Sequence, residues 1–179
     1  MIRLLSVLLC LCMGCGADPE PVPVAPVVVP QLPHVPFEDA AIQCCGNERV
    51  RRIVAEYLDL HRALADDDLA LSQAELQALR GVAMAASDDD ELSVHSRGMA
   101  KQVAGMLEPV ADGSLDKLRR AFVDVSAKVI VLTQANQGGS KPVAVAFCPQ
   151  TNANWLQGEP EILNPFLGSL DPSSGTFRR

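Results

Sequence analysis

The stretch that decides the fold is LDKLRRAFVDVSAKVIVL, residues 115–132. Leu115, Leu118, Phe122, Val125, Val129 and Leu132 recur in steps of three and four without a gap, which is the heptad rhythm of a long helix with one apolar face. Asp112-Gly113 precedes it and Gln137-Gly138-Gly139-Ser140 ends it. Working upstream, Leu92, Met99, Val103, Met106 and Val110 make a second stripe, with Ser87 and Asp90 placed as a variant capping box and Pro109 near its end. A helix is also expected from Leu69 to Ala85, burying Leu76, Leu79 and Ala83 although Gly81 weakens it. Another runs from Gly46 to Leu64 on Val50, Ile53, Val54, Tyr57, Leu58 and Leu64. Asp66-Asp67-Asp68 separates these two and supplies negative charge to a helix start.

Four helices on short links predict a mainly α fold, an antiparallel four-helix bundle. Downstream the pattern changes: Val143 to Cys148 reads as a short strand, followed by turn-rich sequence containing Trp155 and Phe166. The expected arrangement is a short C-terminal strand and loop cap laid over one end of the bundle. Hydrophobic residues are 48% of the 179 but aromatics only 4%, so the core must be aliphatic and alanine-rich, which favours close-packed helices over a β-sandwich.

The first residues have a different character. Arg3 precedes a short apolar run, Leu4 to Leu11, far below the roughly 20 residues of a membrane span. Leu11-Cys12-Met13-Gly14-Cys15 resembles the lipobox of bacterial lipoproteins. That resemblance implies a signal peptide over residues 1–14, lipidation of Cys15 with diacylglycerol and palmitate-type acyl chains, and attachment to a membrane of the cell envelope, facing the periplasm. Gly16 stands where an aspartate would favour inner-membrane retention, which points to the outer membrane. Pro19, Pro21, Pro23, Pro26, Pro30, Pro33 and Pro36 then mark residues 15–36 as an extended tether carrying the domain, residues 37–179. A net charge of −7 argues against a nucleic-acid partner, which needs a basic field.

Two segments together look like a bacterial family known as domain of unknown function 3347. One is Glu56-Tyr57-Leu58-Asp59-Leu60-His61-Arg62 through Asp67, similar to the family's opening helix. The other is Cys148-Pro149, then Trp155-Leu156, then Ile162-Leu163-Asn164-Pro165-Phe166-Leu167-Gly168, in the family's order. Arg120-Ala121-Phe122 with Ser126 resembles its last long helix. The resemblance implies an exported helical domain associated with the adaptors of copper and silver efflux pumps, hence an envelope efflux protein as partner and a role in metal homeostasis. The chain departs from the family at the residues soft-metal chemistry would use. Gln150 replaces a methionine, and Asp171 and Ser174 stand where the family has methionine and cysteine, leaving Cys148 alone.

Cys44 and Cys45 sit just before the first long helix. With Cys148 they permit three readings: a disulfide between one of the pair and Cys148, free buried thiols, or a Cu(I) site on sulfur. His95 and Met99, four apart with Met106 beyond, are further soft-metal candidates, against which methionine as core filler must be set. Asp88-Asp89-Asp90-Glu91 lacks the spacing of a calcium loop. No pattern of catalytic residues is found, so the chain is read as a non-enzymatic interaction domain accessory to metal efflux, with direct Cu(I) binding as the alternative.

Overall fold

A computed structural model describes residues Val35–Arg179. The protein is mainly helical with a small antiparallel sheet. A single helical turn, α1 (Phe37–Ala40), leads into strand β1 (Ile42–Cys44). Four long helices follow: α2 (Glu48–Ala65), α3 (Leu69–Ser87), α4 (Val94–Leu107) and α5 (Leu115–Gln134). Strands β2 (Lys141–Cys148), β3 (Ala153–Gln157) and β4 (Thr176–Arg178) complete the fold.

Side chains set the helix boundaries. The Asn47 carboxamide oxygen accepts from the amides of Arg49 and Val50 at 2.8 and 3.3 Å, satisfying donors that the first turn of α2 leaves open. Asp68 does the same for α3 through the Leu71 amide at 2.9 Å. The tight turn between them is made by Asp67, whose φ of 58° is tolerated by aspartate better than by most residues. For α4 the cap is Ser93, accepting from the Ser96 amide at 3.1 Å, rather than Ser87, which closes α3. The reason is position: Asp88–Ser93 is needed as a loop, and Asp89 anchors it by bonding the Glu91 amide and the Arg49 guanidinium.

Consecutive long helices pack on one another and α5 returns against α2. The face of α4 differs from the stripe expected for it. Ser96, Ala100, Val103, Ala104 and Leu107 are buried, while Met99 and Met106 are half-buried at the rim. Small residues at four-residue spacing let α4 approach α3 and α5 closely, and that contact outweighs burying the larger methionines.

The sheet is more than a C-terminal cap. β2 pairs with β3 along one edge, Ala144 opposite Gln157 to Cys148 opposite Ala153, and with β4 along the other. Its first residues pair with β1, so the N-terminal side of the domain contributes a strand (Ile42 opposite Val143). Val35, inside the expected tether, bridges to Phe177. Trp155 and Leu156, expected in turns, are fully buried on β3. Four of the seven aromatic residues form a chain of rings joining the layers. Tyr57 stacks on Phe122 at 4.9 Å, Phe122 meets Phe166 at 6.0 Å, and Phe166 meets Trp155 edge-on at 5.9 Å. None of the described helices is long and apolar enough to cross a membrane. The expected leader (residues 1–14), Cys15 and nearly all of the proline-rich tether lie outside the described residues.

Candidate functional site

The residues that carried the family resemblance converge at one place, where the C-terminal segment clasps α2 and α5. Asn164 is fully buried and spends its whole carboxamide on backbone: its oxygen accepts from the amides of Phe166 and Leu167 at 2.9 and 3.1 Å, and its nitrogen donates to the Ser174 carbonyl at 2.6 Å. That carboxamide shapes the Asn164–Gly168 turn, with Pro165 and Phe166 buried beneath it. Gly168, at φ 53°, lies so close to Asp67 and Arg119 that any Cβ there would overlap their side chains. Pro149 lies at the turn between β2 and β3.

Three side chains, from α2, α5 and the turn between α2 and α3, hold this turn. Arg119 of α5 donates to the carbonyls of Pro165 and Leu64, at 2.9 and 2.7 Å, and to the Asp67 carboxylate. Asp67 also accepts from the Ser169 amide at 2.9 Å. Hydrogen bonds from Ser169 and the charge of Arg119 hold the Asp67 carboxyl down, to about 2. His61 of α2 is fully buried and its Nε2 donates to the Leu163 carbonyl at 2.8 Å, which fixes the neutral tautomer with the proton on Nε2. Burial pushes the His61 pKa down to about 4, against the opposing pull of the Leu163 carbonyl and Glu159. Beside it, Arg62 grips both Asp59 and Glu159.

Deeper in, the Tyr57 hydroxyl meets the Ser126 hydroxyl at 2.7 Å and accepts from the Leu156 amide at 3.2 Å. Burial raises the Tyr57 pKa beyond its ordinary value. The phenol therefore stays protonated and acts as a peg between α2, α5 and β3. The indole N–H of Trp155 donates to Gln157, whose own amide nitrogen donates to the carbonyls of Glu159 and Glu161. His61, Tyr57, Asn164 and Gln157 thus each bond the backbone of the C-terminal segment or of β3.

The three positions that depart from the family pattern are gathered at the outer rim of the clasp. Gln150 donates to the Asp171 carboxylate at 3.0 Å and to the Ser174 hydroxyl at 3.2 Å. Residues separated by more than 20 positions in sequence thus form one hydrogen-bonded trio of oxygen and nitrogen donors. Soft cations prefer sulfur to such a set.

The cysteines do not come together as expected. Cys44 bonds its neighbour Cys45, and Cys148 is free and buried. The strand register explains why neither the Cys148 disulfide nor a shared Cu(I) site forms. Cys44 lies opposite Lys141 at the start of β2, and Cys148 ends the same strand. Seven steps of about 3.3 Å separate those positions, roughly 23 Å in all, against the ~6 Å that a disulfide tolerates. His95 is exposed on α4 and Met99 packs at the rim of the core, and neither meets a cysteine cluster. Among the described residues, the acidic trio Glu56, Asp59 and Glu75 brings its carboxylates within 4.8 Å of one another. Burial, with Asp59 and Glu56 nearby, raises the Glu75 pKa.

Sequence reasoning missed Arg119 and His61 as anchors. Arg119 is adjacent to the heptad position Leu118, which is the one signal that it borders the core. Nothing in the sequence points it at Asp67. No family model, curated protein or solved structure matches the chain.

Proposed function

We propose that this chain is a non-enzymatic lipoprotein of the bacterial envelope, lipidated at Cys15, that presents its helical domain for protein contact in a copper- or silver-efflux system. In this reading α2 to α5 act as an antiparallel four-helix bundle, and the sheet and clasp close one side of it. The observation that carries the proposal is the clasp. His61 of α2, Asp67 of the turn after it and Arg119 of α5 bind Leu163, Ser169 and Pro165 around the family-like turn. The bond from His61 to Leu163 joins the two family-like segments directly, and Asp67 and Arg119 bond positions in or beside them, which supports reading them as one structural unit. The lipobox-like start supports export and anchoring. Direct Cu(I) binding through Cys148 with Cys44 or Cys45 is not carried forward, because the register holds those sulfurs apart.

Metabolic labelling with palmitate tests the anchor: label is expected in the full chain and lost in Cys15→Ser. Growth on copper and silver salts tests the association. Cells lacking the chain are expected to lose tolerance, recovered with the full chain and not with Cys15→Ser. Absence of label overturns the anchoring, and unchanged tolerance overturns the role in metal handling.

A further inference from the structure

The sheet and the last turns of α5 border a cavity that the clasp does not use. Strand register decides which side chains line it. Val145 lies opposite Arg178 of β4, Phe147 opposite Asn154 of β3, and Val143 opposite Ile42 of β1. Paired residues, and residues two apart on one strand, share a face, so Ile42, Val145, Asn154 and Arg178 all stand on the same side of the sheet. Ile130 and Gln134, four apart on α5, supply the facing wall. The space between is about 320 Å³, at the lower end of the range for small-molecule sites.

The lining divides by chemistry. Ile42, Ile130 and Val145 are half-buried aliphatic side chains packed on the edge of the core. Arg178 is exposed, and its guanidinium carbon lies 3.4 Å from the centre of the Phe147 ring, whose face holds the cation in place. Asp39, next to Ala40 of the cavity wall, is paired with Arg179 at 3.2 Å, and no carboxylate among the described residues pairs with Arg178. The lining thus carries two arginines and no aspartate or glutamate, in a chain of net charge −7. The Asn154 carboxamide oxygen is buried without a partner among the described residues, so this wall also holds a polar group that the fold does not use.

We infer that this cavity binds a small aliphatic carboxylate, whose apolar body covers Ile42, Ile130 and Val145 and whose carboxylate meets the Arg178 guanidinium between the Asn154 and Gln134 carboxamides. Burial of methylenes against the aliphatic wall supplies affinity, and a held, uncompensated guanidinium selects an anion over a neutral molecule of the same shape. The site lies about four turns along α5 from Arg119, so it stands apart from the clasp and from the reading built on it.

The test titrates the purified full chain with octanoate, followed by methyl and amide NMR shifts. Acetate keeps the charge without the body, and octanamide keeps the body without the charge. Octanoate is expected to bind, with shifts centred on Ile42, Ile130, Val145 and Asn154. Octanamide is expected to bind about fivefold more weakly and acetate not detectably. Arg178→Gln should weaken octanoate about fivefold and leave octanamide unchanged, which shows at once that the cavity is still formed. Arg120→Gln, on the first half of α5, removes one charge elsewhere and should leave octanoate binding as it was. No octanoate binding overturns the inference. So does binding that maps elsewhere, that octanamide matches, or that ignores Arg178→Gln. Palmitate labelling and metal tolerance are read through Cys15, so their failure leaves this result standing, and a failed titration leaves theirs.

Discussion

His61 makes the stability of this protein depend on pH in a calculable way. Its ring is fully buried, bonded through Nε2 to the Leu163 carbonyl, and its Nδ1 has no partner. A proton added there is a charge in the core, and burial lowers the folded pKa from 6.5 to about 4. The unfolded chain therefore binds the proton more tightly than the folded one between those values. The stability that neutral His61 contributes is complete above pH 6.5 and is lost as pH falls towards 4. With 1.36 kcal/mol per pKa unit, lowering the pH from 7.5 to 4.5 removes about 2.5 kcal/mol. His61→Gln keeps an amide N–H for Leu163 and cannot titrate. Urea unfolding of both proteins at pH 4.5, 5.5, 6.5 and 7.5 isolates the effect, since Glu159, Asp66 and the other carboxylates are common to both. The stability of the parent relative to the variant should fall by about 2.5 kcal/mol across the range, most steeply below pH 6. A difference constant to within about 0.5 kcal/mol, the order of the fitted error and far below the expected change, would refute the burial argument.

Arg119→Met keeps the aliphatic stem but leaves the Leu64 and Pro165 carbonyls and Asp67 without their donor, and should cost about 2–4 kcal/mol in urea unfolding. Asp67→Asn in the same assay should cost less, because the Ser169 amide retains an acceptor. Gly139→Ala should be among the most damaging single-methyl additions, since a Cβ there overlaps the backbone of Cys44 and Cys45. Gly81→Ala meets nothing within 4 Å and should stabilise α3 by up to about 1 kcal/mol, and thermal melts of the pair give opposite signs if the packing is as described. Replacing the rim trio with Gln150→Met, Asp171→Met and Ser174→Cys tests the family resemblance. The triple variant should compete with a chelator for Cu(I) where the parent does not, and equal failure of both would separate this rim from soft-metal chemistry.

Periodicity made the long helices legible because each buries a continuous stripe: Leu118 to Leu132 on α5 and Val50 to Leu64 on α2 are buried as read. It failed on α4, where hydrophobicity points to Met99 and Met106 but close helix approach selects Ser96, Ala100 and Ala104. β1 was invisible because three residues, Ile42-Gln43-Cys44, carry no alternation long enough to read. The cysteine pairing was undecidable without the strand register, which places Cys44 and Cys148 at opposite ends of β2. At the clasp, the turn residues were readable from Asn164-Pro165 and Gly168, whereas the partners supplied by His61 and Arg119 depend on which helix faces lie over the tail.

Pairing Ile42 with Val143 also dictates when the domain can be finished. The strand closing the N-terminal side must wait for a partner about 100 residues later in the chain, and closing so long a loop is slow compared with helix formation. A chain synthesised from its N-terminus can dock α2 on α3 and α3 on α4 as each emerges, but β1 stays open until β2 is made. During that interval an unpaired strand edge is an invitation to association between chains. The brevity of β1, three residues followed by Cys45 and Gly46, limits that hazard: too short to template a neighbour, it becomes a strand only when its own β2 arrives.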